Sequence, residues 1–319
     1  MARPKLWIDE KTKNKNLAGK TYIVTGANSG VGFETTRQLI KQGAHVVMAC
    51  RRVEAGKEVA REFDGLKGSY EVIKLDLANL DSVRSFVKTF KSKYDQLHGL
   101  DCNAGMVSMG REATRTSDGF EMSIGVSYFG HFLLTELLLD TLKKSAPSRI
   151  VLLSSCVHAG RPENRPFVHL DDLNYHKRDF NAMNAYSEAK VANALYAMEL
   201  AQRLDGTGVV AFAVHPGWAR SNFGKENLFM RVLSPLMAPF IRSMTDSNEE
   251  SAQTSLHCLI SDQAREHSGA YFSQSSVLYR DSYCKDGGWP LESPNPHAKD
   301  MMVAQKLIQE TYELVGLKK

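Results

Sequence analysis

The stretch Thr21-Tyr-Ile-Val-Thr-Gly-Ala-Asn-Ser-Gly-Val-Gly32 decides the fold. Its first five residues are mostly β-branched or aromatic, as a strand favours, and glycines at 26, 30 and 32 then interrupt the run. From Glu34 to Gln42 apolar residues recur at helical spacing, so the loop joins the end of a strand to the start of a helix. That junction sets Gly26, Asn28, Ser29, Gly30, Val31 and Gly32 where unpaired helix N–H groups and the positive dipole end would face a dinucleotide pyrophosphate. An ordinary glycine-rich turn would read the same without its flanks. A nucleoside triphosphate loop is excluded, because no Lys-Ser/Thr follows the last glycine.

Working outward, short apolar runs predict strands at Thr21–Thr25, Ala44–Cys50, Tyr70–Leu75, Gly99–Cys102, Arg149–Ser154, Val209–Val214 and Ala270–Phe272. Amphipathic helical patterns lie between them, at Glu34–Gln42, Leu80–Lys93, Phe120–Lys143 and Met183–Arg203. Alternation of this kind makes a doubly wound α/β architecture, with a parallel seven-stranded sheet covered by helices on both faces. Residues 1–18 form a polar N-terminal extension, and 19–319 read as one dinucleotide-binding domain. A Pro/Gly-rich passage from Gly287 to Pro296 precedes a terminal helix near Ala298–Leu314, and no linker long enough to separate it occurs. The polar insert Arg161–Ala182 is expected to border the active site.

Tyr186 and Lys190 stand four apart in Asn184-Ala-Tyr-Ser-Glu-Ala-Lys-Val-Ala-Asn193, on one face of the predicted helix. A neighbouring ammonium stabilises phenolate, so this spacing predicts a tyrosine that ionises more readily and can donate a proton near neutral pH. Tyr70 and Lys74 repeat the spacing, but in a strand four residues span about 13 Å, which rejects that copy.

At the end of the second strand a carboxylate would accept bonds from both adenosine ribose hydroxyls. The chain has Cys50-Arg51-Arg52 there. Two guanidinium groups suit a 2′-phosphate, so NADP(H) is expected over NAD(H), with a pair of merely solvated arginines as the alternative.

Composition narrows the rest. Forty basic against 36 acidic residues, net +4, give no nucleic-acid surface, and 43% hydrophobic content over 319 residues supports a large core. Cys50, Cys102, Cys156, Cys258 and Cys284 are odd in number and lack Cys-x-x-Cys spacing, which predicts neither a disulfide framework nor a metal site and fits a reducing, cytoplasmic compartment. Met1–Lys20 has no apolar core of a signal or anchor, so a soluble protein is expected. Leu228–Met244 is the most apolar stretch, but Arg231, Arg242, Pro235 and Pro239 make it a poor transmembrane segment. Met230, Met237 and Met244 recur at sevens within it, a pattern shared by a substrate lid over about 220–250, a dimer contact and a peripheral membrane contact. Oligomeric state stays open. His215 is read as satisfied by a local hydrogen bond, and Cys156 as a buried inert thiol.

With these motifs together, the chain resembles the short-chain dehydrogenase/reductase family, a Rossmann-type fold, from Gly19 to Phe272. The resemblance implies that Asp76-Leu77 contacts the adenine, that Asn103-Ala104-Gly105 stabilises the sheet, and that Pro216-Gly217 and Ser221 lie on the nicotinamide side. It further implies that Ser155, in Leu153-Ser-Ser-Cys156, bonds the substrate oxygen, with Ser154 as the fallback. Tyr186 would then exchange the proton, and Lys190 would bind the nicotinamide ribose. Where the family carries an Asn whose main-chain carbonyl holds a relay water, this chain has Ser127, in Val126-Ser-Tyr-Phe-Gly-His-Phe132.

Within the family, Ala49-Cys-Arg-Arg52, Gly130-His-Phe-Leu-Leu-Thr135 and Glu313-Leu-Val-Gly316 look most like the retinol dehydrogenase and protochlorophyllide reductase branch. That likeness implies a bulky apolar carbonyl or alcohol as substrate, retinoid-, steroid- or lipid-aldehyde-like, with tetrapyrrole reduction as the alternative. Trp218, where protochlorophyllide reductases have a cysteine, weighs against the tetrapyrrole. Many members carry an N-terminal membrane anchor, which is not expected here from the polar Met1–Lys20. A non-catalytic NADP(H)-binding scaffold of the same fold is the rival from another class.

Overall fold

The computed structural model describes residues 5–219, 245–274 and 292–318. Ser221, the apolar stretch 228–244 with its three methionines, and Cys284 lie outside the described residues.

Seven strands, β1 (Thr21–Thr25), β2 (His45–Cys50), β3 (Ser69–Lys74), β4 (Gly99–Cys102), β5 (Ser148–Leu153), β6 (Val209–His215) and β7 (Tyr271–Ser273), form one parallel sheet. Their order is β3-β2-β1-β4-β5-β6-β7, so the direction of winding reverses between β1 and β4. A crevice opens at such a reversal, beyond the carboxyl ends of the strands. The glycine loop, Asp76-Leu77, Asn103-Ala-Gly105, Ser155 and Pro216-Gly217 all follow strand carboxyl ends at that edge. Predicted strand limits agree to within one residue, with β1 and β4 matched at both ends.

Helices cover both faces. The short α1 (Glu10–Lys13) precedes the sheet, and α2 (Gly30–Lys41) follows the glycine loop. Then come α3 (Val53–Ala60), α4 (Leu80–Lys93), a single turn α5 (Met122–Ile124), α6 (Gly130–Lys144) and α7 (Ala182–Arg203). The last two are α8 (Asn248–Ile260) and α9 (Met301–Leu314). Helix α8 starts with a capping box, in which Ser247 and Glu250 satisfy each other's backbone N–H groups. At its other end the buried Arg149 donates to the Cys258 and Ser261 carbonyls at 2.9 and 2.6 Å.

The helix expected over Phe120–Lys143 forms as one helical run, Met122–Lys144, with a π turn inside it. That turn, Gly125–Phe129, joins α5 to α6. Both flanking glycines press against neighbours: a Cβ on Gly125 would lie 2.5 Å from Thr116 Cγ2, and one on Gly130 2.6 Å from the Leu77 carbonyl. Extra residues in the turn let the chain keep both contacts while still feeding α6 into the core. Taken as one span, Met122–Lys144 is long and apolar enough to cross a membrane, but 83% of its apolar window is buried as a core helix.

The polar N-terminal extension is packed rather than loose. Gln274 exchanges two hydrogen bonds with the Leu6 backbone, Gln253 accepts from the Ile8 N–H, and Gln42 donates to the Thr12 and Lys15 carbonyls. Cys50, Cys102, Cys156 and Cys258 are free thiols. Among the described residues no group of three His, Cys, Asp or Glu side chains could hold a metal.

Candidate active site

The glycine loop is shaped by what lies beneath it. A Cβ on Gly32 would collide with the Asn103 side-chain amide and the Gly26 carbonyl, so the helix can only start this close to β4 with glycine there. Gly30 has φ +61° and faces open space. Ser29 N-caps α2 without bonding its side chain to the first amides. Asn28 and Val31 complete the loop, and the Ala27 and Asn28 amides sit over the Cys50 thiol, whose burial pushes it up to about 11. These residues fit a dinucleotide's pyrophosphate: a concave backbone, helix N–H groups and an open approach.

Asn103 Nδ2 donates to the Thr25 carbonyl at 2.8 Å, and the Ala104 N–H donates to Thr25 Oγ1 at 2.9 Å, which ties the end of β4 to the end of β1. Asp76 accepts from the Ala78 N–H at 3.0 Å, holding the turn after β3, while Leu77 is buried against Gly130. Arg51 and Arg52 are exposed beyond β2 and make no ion pair among the described residues. Pro216 and Gly217 follow β6. Gly217 has φ +89°, and Asp246, which accepts from the Trp218 N–H at 2.8 Å, fills the space a Cβ would need.

At the carboxyl end of β5 the structure separates the two serines. Ser154 is buried and donates to the Lys190 carbonyl at 2.8 Å, deep beside α7. Ser155 turns outward and hydrogen-bonds Tyr186. Lys190 Nζ lies 5.3 Å from the centre of the Tyr186 ring and donates to the Leu153 carbonyl at 2.7 Å. Asn193, one turn further along α7, donates to the same carbonyl at 3.0 Å. Sequence reasoning passed over Asn193, although its i+3 spacing from Lys190 puts it on the same helix face.

The expected easing of Tyr186 ionisation does not follow from this geometry. Burial raises its pKa above the usual phenol value, with the Ser155 hydrogen bond as the opposing influence. Lys190 is fully buried too, and burial lowers it to about 7. Each group in this dry pocket is pushed towards its neutral form, which outweighs the ammonium's attraction for phenolate.

Ser127 lies on the π turn with its Oγ buried and no hydrogen-bond partner among the described residues. A Cβ on Gly105 would stand 3.3 Å from Lys190 Nζ and 3.5 Å from Ser127 Oγ, so the bare glycine brings both groups to one spot. The Ser127 carbonyl meets His131 Nδ1 at 3.2 Å, and His131 Nε2 meets Thr25 Oγ1 at 2.9 Å. A relay through that carbonyl therefore starts with one lone pair already taken. His131 and Thr25 were not singled out from the sequence, yet they link the π turn to the glycine loop. His215 accepts a local hydrogen bond from the Cys156 N–H at 3.2 Å, as its strand-end position suggested. Burial raises the Cys156 thiol above its ordinary value.

A reversing parallel sheet, a glycine loop opening α2 and a Ser-Tyr-Lys cluster at the strand ends define a nicotinamide-binding oxidoreductase class, and residues 20–165 match the family model for short chain dehydrogenase. The chain belongs to the short-chain dehydrogenase/reductase family. It is 39% identical to human retinol dehydrogenase 11 over 312 residues, covering 96% of this chain and 89% of that protein. It is also 39% identical to human retinol dehydrogenase 12 over 307 residues, with 96% and 89% covered. A crystal structure of an uncharacterized protein from Mycobacterium paratuberculosis superposes with a TM-score of 0.71 at 29% identity, covering 95% of this chain and 96% of that one. These likenesses fall in the retinol dehydrogenase-like branch, whose family binds a nicotinamide cofactor.

Proposed function

We propose that this protein is an NADPH-dependent oxidoreductase acting on a carbonyl or alcohol of a bulky apolar substrate, retinoid-, steroid- or lipid-aldehyde-like. The observation that carries the proposal is the Ser155–Tyr186 hydrogen bond with Lys190 beside the ring, at the edge where the glycine loop opens. When bound, the nicotinamide supplies the hydride for reduction or accepts it in the reverse direction. Ser155 donates a hydrogen bond to the substrate oxygen, and Tyr186 gives that oxygen its proton. Lys190, with a pKa near neutrality, can return a proton to the tyrosine site, and Ser127 Oγ, facing the same spot beside Gly105, can take part in that relay.

Preference for NADPH rests on Arg51 and Arg52, two exposed cations with no carboxylate partner among the described residues. An apolar substrate is supported by the relatives' name and by Met109, Met183 and Trp218, large apolar side chains left exposed near the strand ends. The partly engaged Ser127 carbonyl favours the rival of a non-catalytic NADP(H) binder.

Purified protein given NADPH and all-trans-retinaldehyde, then steroid ketones, aliphatic aldehydes and quinones, separates the two readings. Turnover by the wild type should fall at least about a hundredfold in Tyr186→Phe, with NADPH binding held within a few-fold. Equal turnover by that variant ends the enzymatic reading. Joint replacement of Arg51 and Arg52 by Ala should weaken NADPH about tenfold or more, roughly 1.4 kcal/mol, and leave NADH unchanged.

A further inference from the structure

Two buried imidazoles meet at one peptide bond. The Ser155 carbonyl lies 2.5 Å from Nδ1 of His158, and the Cys156 N–H donates to Nδ1 of His215 at 3.2 Å. That carbonyl and that N–H belong to the same peptide unit, where they point in opposite directions. The two rings therefore hold it from both sides, one from the 3-10 turn Cys156–Ala159 and the other from the end of β6.

The chemistry of the peptide fixes each ring's proton. A carbonyl only accepts, so His158 carries its hydrogen on Nδ1. An N–H only donates, so Nδ1 of His215 is bare and its hydrogen sits on Nε2. The other nitrogen of His158 then accepts from Ser293 Oγ at 2.8 Å, and Ser293 Oγ accepts from the Asn295 N–H at 3.2 Å. Asn295 Nδ2 returns to the His158 and Pro166 carbonyls at 2.6 and 2.7 Å. Both histidines are buried, and burial keeps them neutral by lowering them to about 4 and about 3. Ser155 itself has an extended backbone; its carbonyl also accepts from the His158 N–H at 3.2 Å, and its Oγ accepts a long 3.4 Å bond from the Val157 N–H besides its contacts with Tyr186 and Cys156.

We infer that His158 and His215 are positioning residues that clamp the Ser155–Cys156 peptide plane and so keep the Ser155 hydroxyl on Tyr186, with Ser293 and Asn295 locking His158 in place. This rests on the role proposed above for Ser155. A buried histidine that only fills space would need neither opposite tautomers nor two nitrogens engaged.

The full-length protein, with NADPH and all-trans-retinaldehyde as probes, provides the test. In His158→Phe and His215→Phe, kcat should fall about ten- to a hundredfold while KM for NADPH stays within about threefold, as a small misplacement of a reacting group predicts. Asn places an amide atom where Nδ1 stood, so His158→Asn and His215→Asn should return kcat to within about threefold of wild type. Histidine 15N spectra of the wild type should show the Nδ1–H tautomer for His158 and the Nε2–H tautomer for His215. Undiminished kcat in the Phe variants, Asn variants as poor as the Phe ones, or identical tautomers would each overturn the clamp. Should the Phe variants fail to fold, the tautomer spectra and the Asn variants still decide. A Ser155→Ala control with full turnover would sink the catalytic reading instead, and the spectra would judge the clamp independently.

Discussion

The two helical layers on the sheet are built on opposite terms. On the side of α6, α7 and α9, most buried polar groups are paired, with Ser127 Oγ and Asn193 Oδ1 the exceptions among the described residues. Glu136 accepts from Tyr196 at 2.7 Å, Tyr312 at 2.5 Å and Arg203 at 2.5 Å, and Tyr128 meets Thr311 at 3.0 Å. Aromatic rings of Tyr128, Phe132, Tyr196 and Tyr312 pack around these bonds. On the side of α2 and α8, the hydroxyls of Thr35, Thr36, Ser251, Thr254 and Ser255 and both carboxyl oxygens of Asp101 are buried without a hydrogen-bond partner among the described residues. Asp101 faces that layer because it is in register with Val24 and Val151, which belong to the α2/α8 core. The layer holding the Tyr186 helix is thus over-determined, whereas the other tolerates polar groups that cost stability.

Asp101→Val should break this contrast most strongly. Burial raises the Asp101 carboxyl from 3.8 to about 8, so the folded state holds a proton that the unfolded chain releases. Its stability is then full below about pH 4 and declines by roughly 1.4 kcal/mol per pH unit until about pH 8. The valine variant should lose this slope and gain a few kcal/mol at pH 8 in urea titrations. A wild type whose stability is flat across that window would contradict the assignment.

Glu136→Ala should act the other way, leaving Arg203 and two tyrosines short of their shared acceptor. A loss of about 2–3 kcal/mol is expected, less than for a fully buried pair because Arg203 is 29% exposed, and thermal unfolding would measure it. The smallest effects sharpen the comparison as a matched pair. Thr254→Val removes an orphan hydroxyl and should be neutral or stabilising by up to about 1 kcal/mol, while Thr311→Val strips the partner of Tyr128 and should cost about 1 kcal/mol. Equal shifts in the two variants would mean the layers do not differ in this way.

The sequence was most legible where one local rule acts alone. A glycine loop between a strand and a helix, or a tyrosine and lysine one turn apart, reads correctly because neither needs a distant residue to define it. The π turn at Gly125–Phe129 inside the expected helix was hidden, because its flanking glycines answer to contacts with Thr116 and Leu77. Helix α8 was missed despite a visible Ser247-x-x-Glu250 signature. The electrostatics of Tyr186 could not be read from spacing, since burial outweighs the neighbouring charge and burial is a property of the whole fold. His131, His158 and Asn193 went unremarked for a related reason: each is defined by a backbone carbonyl that folding brings to it.

Helix α9 leaves the ribosome after every other described helix and strand, yet it carries the threonine and tyrosine that complete the aromatic layer around Tyr128 and Glu136. Until those residues emerge, a nascent chain holds Tyr128 and Glu136 without the Thr311 and Tyr312 hydroxyls that complete their bonding. A premature stop just before this helix should therefore behave like a core lesion rather than a trimmed tail, recruiting chaperones and proteolysis although every residue of the Ser-Tyr-Lys cluster has already been made.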